Sequence, residues 1–235
     1  MCIRDRLRVV YLVFTEGHKA SSGPVLVRAQ LCDLGIDLAR GLRRLLPGEP
    51  EVAGLLALLL LIDSRRATRV DAAGQLVLLP HQDRSRWDHL QVARGQAALQ
   101  QAVALGGADD GYVLQAAIAD CHARARHADA TDWARMAALY ARLAEVQPSP
   151  VVELNRAVAV SRAEGAAAAW PLVERLADDP RLRDYAPMAA VQGDLLSQMG
   201  RHAEAADAFA RAARLTPNAR ERALLQARAA RLQPD

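Results

Sequence analysis

The sequence predicts an all-α fold, an antiparallel array of helix pairs, on three observations. Ala, Leu and Arg dominate the 235 residues while aromatics make up only 4%, a composition that favours helix over strand. Apolar residues recur at spacings of three and four through most of the chain. No stretch shows the strict alternation of a half-buried strand. A chain of this length suits one large or two small domains and can bury a core without disulfides.

The elements follow in order. Met1-Cys2-Ile3-Arg4-Asp5-Arg6 fits no element after it. It reads as a non-native leader, with residues 1–10 as leader plus the remnant of a part upstream and native sequence from about Leu7. Residues 11–23 read as a linker, and 14–23 as its hinge. A helical domain is expected over 24–128. Its first helix carries Leu31, Leu34, Leu38, Leu42 and Leu45 as one stripe. Pro47-Gly48 ends that helix. Pro50 and Glu51 start the next, at the end where the helix dipole favours them. Leu55 to Ile62 is apolar on every side, so this helix belongs at the centre. The run from Val52 to Ile62 has 11 residues, against about 20 for a bilayer crossing.

Asp71-Ala72-Ala73-Gly74 reads as a turn, with a short extended piece over 75–79. A helix is expected over 85–105, ending at Gly106-Gly107, with Asp83 or Ser85 capping it. Leu114, Ile118, Cys121 and Ala125 mark the next. Repeats are then expected over 129–235. Thr131 or Asp132 caps a helix carrying Met136, Leu139, Tyr140, Leu143 and Val146 on one face. Further helices are expected over 151–163, 166–178, 187–199, 203–215 and 219–232.

The strongest internal pattern lies between Ala186 and Ala219. Gly193, Leu196, Gly200, Ala205, Phe209, Ala212 and Pro217 fall at positions 8, 11, 15, 20, 24, 27 and 32 of the roughly 34-residue tetratricopeptide (TPR) pattern. Small residues at 8, 20 and 27 let two helices approach closely, large ones at 11 and 24 fill the gaps, and proline stops the second helix. Weaker units place Trp133, Tyr140 and Pro148 in one repeat, and Ala157, Gly165 and Ala177 in the next. The expectation is a TPR-like right-handed solenoid in the C-terminal half, closed by an Arg-rich capping helix.

Charge and cysteines bound the function. The net charge of +3 comes from 30 basic and 27 acidic residues interspersed along the chain, with no basic stripe to neutralise a phosphate backbone. Duplex DNA binding by this chain alone is not expected. Cys2, Cys32 and Cys121 are sparse and far apart, which fits a reducing cytoplasm.

Chemistry-bearing clusters are few. Cys121, His122 and His127 invite a metal reading, but zinc takes four ligands at characteristic spacings, and no metal or cofactor is expected. His81-Gln82-Asp83-Arg84-Ser85-Arg86-Trp87-Asp88 is the densest polar cluster. It contains Ser, His and Asp but lacks the strand and the G-x-S-x-G elbow of a hydrolase, so hydrolysis through His81 and Ser85 is the lesser alternative to a non-catalytic role. An ion pair between Asp63-Ser64-Arg65-Arg66 and the 82–88 cluster is one expectation. Phosphate binding by Arg65, Arg66 and Arg69 is its rival, although no Gly-rich cradle is present.

Several segments, in order, resemble the C-terminal TPR-bearing extension of an extracytoplasmic-function (ECF), sigma-24-like RNA polymerase sigma factor. They are Tyr11-Leu12-Val13-Phe14-Thr15-Glu16-Gly17-His18, Leu45 to Val52, Asp63 to Ala67, Gln82 to Asp88, Thr131-Asp132-Trp133, Pro148 to Val160, and Gly193 to Leu196. The family commonly has F-N-E-G-Y where this chain has Phe14-Thr15-Glu16-Gly17-His18. The resemblance implies a regulatory, protein-binding role in transcription initiation, without enzymatic activity. It implies RNA polymerase core and the promoter-reading sigma domains as partners, DNA contact only through those domains, and no membrane. A small DGPF/YCII-like protein is a further candidate partner. Candidate interaction residues are Glu16, Arg65, Arg66, Asp83, Arg84, Arg86 and Asp88. A free-standing TPR adaptor outside transcription is the alternative.

Overall fold

The computed structural model describes residues 3–21 and 26–232. Its helices are α1 (Ile3–His18), α2 (Ala29–Leu45), α3 (Pro50–Asp63), α4 (His89–Ala104), α5 (Gly111–Arg124), α6 (Trp133–Val146), α7 (Pro150–Glu164), α8 (Ala166–Leu176), α9 (Ala186–Gln198), α10 (His202–Leu215) and α11 (Ala219–Ala230). Among the described residues extended pairing amounts to one antiparallel bridge, Val70 to Leu76. The all-α expectation holds. The described chain falls into two compact units that divide between Asp132 and Trp133, against the expected 128/129.

In the first unit α3 is the centre, as its apolar circumference predicts. One face packs with α1 and α2 through Val52, Leu55 and Leu59 against Leu7, Val10, Phe14, Cys32 and Ile36. The opposite face packs with α4 and α5 through Ala53, Ala57 and Leu61 against Val92, Leu99 and Val113. Pro50 opens α3 with Glu51 in its first turn, as expected.

Three sequence expectations need correction here. Ile3 to Arg6, expected to fit no element after them, belong to one: α1 starts at Ile3, and Leu7 and Val10 are buried. The stretch 11–18 is not a linker, because it completes the same helix, with Phe14 fully buried. Met1, Cys2 and the Ser22-Gly23 end of the expected hinge lie outside the described residues. On α2 the leucine stripe is only partly a core face: Leu42 packs against the core and Leu31 lies beside Gly17. Cys32, Gly35, Ile36 and Ala39 are buried, while Leu34, Leu38 and Leu45 are exposed. The reason is the tight α1–α2 seam. A Cβ on Gly35 would stand 2.8 Å from Phe14 Cβ, and one on Gly17 would stand 2.5 Å from the Cys32 backbone nitrogen. Small residues face the neighbour, and Leu34, Leu38 and Leu45 are turned outward.

Between α3 and α4 the chain makes three single 3-10 turns, Arg66–Thr68, Leu79–His81 and Arg84–Arg86. The helix expected from residue 85 begins at His89, because Asp88 supplies its cap. The Asp88 carboxylate accepts from the Gln91 backbone N–H at 2.8 Å. Asp83 caps the preceding 3-10 turn through Ser85 N–H at 3.0 Å.

In the second unit consecutive helices pack on one another, α6 on α7, α7 on α8, α9 on α10 and α10 on α11. Ser149 caps α7 with Pro150 at its first position. Gly165 and Gly200 make the α7–α8 and α9–α10 turns at φ of +99° and +76°, conformations that L side chains rarely adopt. Leu196, Ala205, Phe209 and Ala212 are all buried in one cluster, and Gly193 lies against Phe209. Pro217 follows α10 and is exposed. Ala177, given a seam position by its spacing, is exposed beyond the end of α8. Ala169 and Val173 fill that seam instead. Val146, placed on the α6 core face, is also exposed.

Candidate functional site

The seven candidate residues do not share one surface. Glu16 on α1 is a clasp: Oε1 accepts from Arg28 Nη1 at 2.7 Å and Oε2 from the Ser21 backbone N–H at 3.1 Å. Arg66 forks onto Asp63, with Nε to Oδ1 at 2.7 Å and Nη2 to Oδ2 at 2.9 Å, and reaches Asp33 at 2.7 Å. Asp83 and Asp88 are capping groups. Arg86 is exposed. Arg65 and Arg84 alone of the seven go to a common place, a polar node beneath the 3-10 segment.

The expected ion pair between the 63–66 and 82–88 segments is replaced by other bonds. Asp63 pairs within its own segment and accepts from Gln91 Nε2 at 2.8 Å. The two segments join through the Asp88 backbone N–H donating to Ser64 O at 2.8 Å, and through Thr68 Oγ1 donating to Gln82 Oε1 at 3.3 Å. Arg84 turns to α5. Its Nη1 donates to His122 O at 2.7 Å and Ala125 O at 2.9 Å, and its Nη2 to Thr131 Oγ1 at 3.2 Å. A cation on the last carbonyls of a helix satisfies orphan acceptors and complements the dipole. The guanidinium also lies 5.1 Å over the Trp87 ring, within cation–π range.

His18, Arg69, Trp87 and His122 complete the node. His18 is buried and stacked on Phe14, ring centroids 5.7 Å apart. Burial, then the charges of Arg69 and Arg65, hold its pKa far below the ordinary value. The ring is therefore neutral. Its Nε2 faces Arg65 Nη2 at 3.5 Å. Arginine can only donate, so Nε2 is the acceptor and Nδ1 carries the hydrogen. That Nδ1–H is buried and finds no hydrogen-bond partner among the described residues, and neither do Arg84 Nε and Trp87 Nε1. Burial lowers His122 to about 4, with Arg65 and Arg84 adding to the effect. Burial, with Arg69 and Arg84, lowers Arg65 to about 10. The charges that lower these three groups are those of neighbouring cations. The node thus gathers three guanidiniums and two neutral imidazoles.

Sequence reasoning found Arg65, Arg69 and Arg84 but not their convergence with His18 and His122. His122 lies beside Cys121, whose Sγ hydrogen-bonds Ala117 O at 3.3 Å. Among the described residues, no group of three His, Cys, Asp or Glu side chains is placed to hold a metal. Ser85 Oγ donates to Asp83 Oδ1 at 2.6 Å inside its own turn. No helix of the described residues is long and apolar enough to cross a membrane.

A second feature of this unit is the outer face of α2. Leu34, Leu38 and Leu45 fall within about 40° of one another at ~100° per residue, and Leu45 is 77% exposed. Val9 and Leu12 on α1 are exposed as well. An exposed apolar stripe such as that of α2 is a candidate interaction surface.

Residues 3–103, which span α1 to α4, match the model of DUF6596, a family of unknown function. An uncharacterized protein of Rhizobium meliloti (strain 1021) is 47% identical over 218 residues, covering 93% of this chain and 51% of that relative. The chain therefore spans about half the length of the curated relative it matches.

Proposed function

We propose that this chain is a regulatory docking module of an ECF RNA polymerase sigma factor, acting in cytoplasmic transcription initiation through promoter-reading domains that lie outside it. The observation that carries the reading is the exposed leucine face of α2. A helix that packs its small residues inward and displays Leu34, Leu38 and Leu45 outward is built to be covered by another protein surface. The relative, about twice the matched length, supports a second part of similar size as what covers it.

The second unit supports the protein-binding side of this reading. Helix pairs turned at Gly165 and Gly200 and seamed by Gly193, Ala205 and Ala212 fit a TPR-like solenoid, whose grooves accept helices or extended peptides. RNA polymerase core, the promoter-reading domains and a small DGPF/YCII-like protein are the partners the resemblance offers. No enzymatic step enters the proposal.

The test is transcription in trans. The half of the Rhizobium relative that this chain does not match is combined with RNA polymerase core and promoter DNA, with and without this chain. Added chain is expected to change promoter-specific transcript yield severalfold, and the chain carrying Leu34→Glu and Leu38→Glu is expected to have no effect. No promoter-specific transcription under any combination would overturn the sigma-factor reading.

A further inference from the structure

The outer face of α2 has the spacing of a coiled-coil seam. Leu31, Leu34, Leu38, Gly41 and Leu45 follow one another at alternating intervals of three and four, the pattern of a and d positions in a heptad. Leu34, Leu38 and Leu45 stand at 48%, 42% and 77% exposure. Gly41 takes the one place in the seam that leucine does not. A Cβ there would meet nothing within 4 Å, so the chain's own packing does not call for glycine, although glycine weakens a helix interior relative to alanine. The result is an open notch in an apolar stripe. The flanks of the seam differ. On one side the g positions are Asp37 and Arg44, one heptad apart and both exposed. On the other side the e positions are Gly35 and Leu42, which carry no charge.

This pattern is its own complement when reversed. In an antiparallel helix pair each a position meets a d position of the other helix, and g positions meet g positions. Two copies of α2 then pair Leu34 with Leu45 of the second copy and seat Leu38 in the Gly41 notch of the second copy. Two-fold symmetry repeats both layers in reverse. The same register sets Asp37 against Arg44 of the second copy, twice. Parallel pairing sets g against e, which places Asp37 against Leu42 and leaves the charges unmatched. We propose that α2 pairs antiparallel with α2 of a second copy of this chain, forming a two-fold dimer. Within the chain Asp37 pairs with Arg40 at 3.1 Å, but its side chain stays 70% exposed, and such a pair is weak. One helix pair buries less than the roughly 1,200 Å² of a stable standard interface. The dimer is therefore weak, and the dilute chain is monomeric. The inference shares the α2 face with the docking reading but does not need the sigma-factor assignment. A second copy and a docking part compete for the face, so dimerisation keeps it covered while the chain is alone.

The experiment is sedimentation equilibrium of the full chain from micromolar to several hundred micromolar. The parent is expected to pass from monomer to dimer across that range, and Leu38→Glu is expected to stay monomeric throughout. Asp37→Arg and Arg44→Asp each set like charges together at both symmetric contacts, and each is expected to weaken the dimer at least about threefold. An equimolar mixture of those two variants restores both opposite-charge contacts and is expected to associate at least as tightly as the parent. These substitutions lie on the exposed face, and melting temperatures of the dilute variants check that each is folded. The charge variants keep the test intact should Leu38→Glu unfold the chain. The proposal is overturned by a chain that stays monomeric at the highest concentration or by a dimer that Leu38→Glu leaves unchanged. It is also overturned by a mixture of Asp37→Arg and Arg44→Asp chains that associates no better than either alone. A monomeric chain that still changes promoter-specific transcription sinks the dimer and leaves the docking reading standing.

Discussion

Gly193 on α9 lies against the ring of Phe209 on α10, so closely that a Cβ on the glycine would come within 2.8 Å of Phe209 Cδ1 and Cε1. Ala205 and Ala212 flank the ring on its own helix and are fully buried. The contact sets the separation of the two helices. Gly193→Val is expected to destabilise the chain by about 1–3 kcal/mol through overpacking, read as a lower urea midpoint at unchanged slope. An unchanged midpoint would mean that the seam has slack.

The two faces of α2 make opposite predictions. Ile36→Ala empties a buried site and is expected to cost about 2–4 kcal/mol. Leu45→Glu, on the exposed face, is expected to stay within about 0.5 kcal/mol of the parent. Denaturant titration of the two variants checks both. Were the leucine stripe the core, the ranking would reverse.

Arg84 holds the last turn of α5 through His122 O and Ala125 O. Arg84→Met frees those carbonyls and the Thr131 hydroxyl, while relieving repulsion on Arg65. The lost bonds dominate, and a net destabilisation of about 1–3 kcal/mol is expected. The same substitution removes a cation that depresses His122, so the His122 titration, followed by NMR, is expected to move upward.

The histidines also set a pH dependence. His122 is lowered from 6.5 to about 4 in the folded chain, first by burial and then by Arg65 and Arg84, and His18 is lowered further, mainly by burial. Between those values the unfolded chain binds protons that the folded chain does not. Their contribution is therefore full above pH 6.5 and declines as pH falls toward 4. The slope is about 1.4 kcal/mol per pH unit per histidine. Urea titrations at neutral and mildly acidic pH are expected to show it, with His122→Gln flattening the decline by one histidine's share. Equal pH dependence in parent and variant would contradict the assignment.

Most of the helix order is legible in the sequence because periodicity, proline and glycine each carry local physics. Pro50, Pro150 and Gly200 mark ends that the structure keeps within a residue or two. The errors arise where a tertiary contact decides. Leucine spacing on α2 identifies an apolar face truthfully, but the buried face is the one that Gly17, Gly35 and Phe14 need to approach, and no spacing rule reveals which of two faces a neighbour takes. Asp88, rather than Asp83 or Ser85, starts α4 because the chain first makes a 3-10 turn, a competition that composition does not settle. The node was half visible. Arg65, Arg69 and Arg84 stand out as charges, but His18 and His122 lie 104 positions apart and meet the arginines only through folding.

The docking claim is tested most directly by sedimentation velocity of this chain mixed with the unmatched half of the Rhizobium relative. The account predicts a stoichiometric complex that Leu34→Glu with Leu38→Glu abolishes, while the variant's melting temperature stays that of the parent. Two freely sedimenting species, or a complex indifferent to that double substitution, would contradict it.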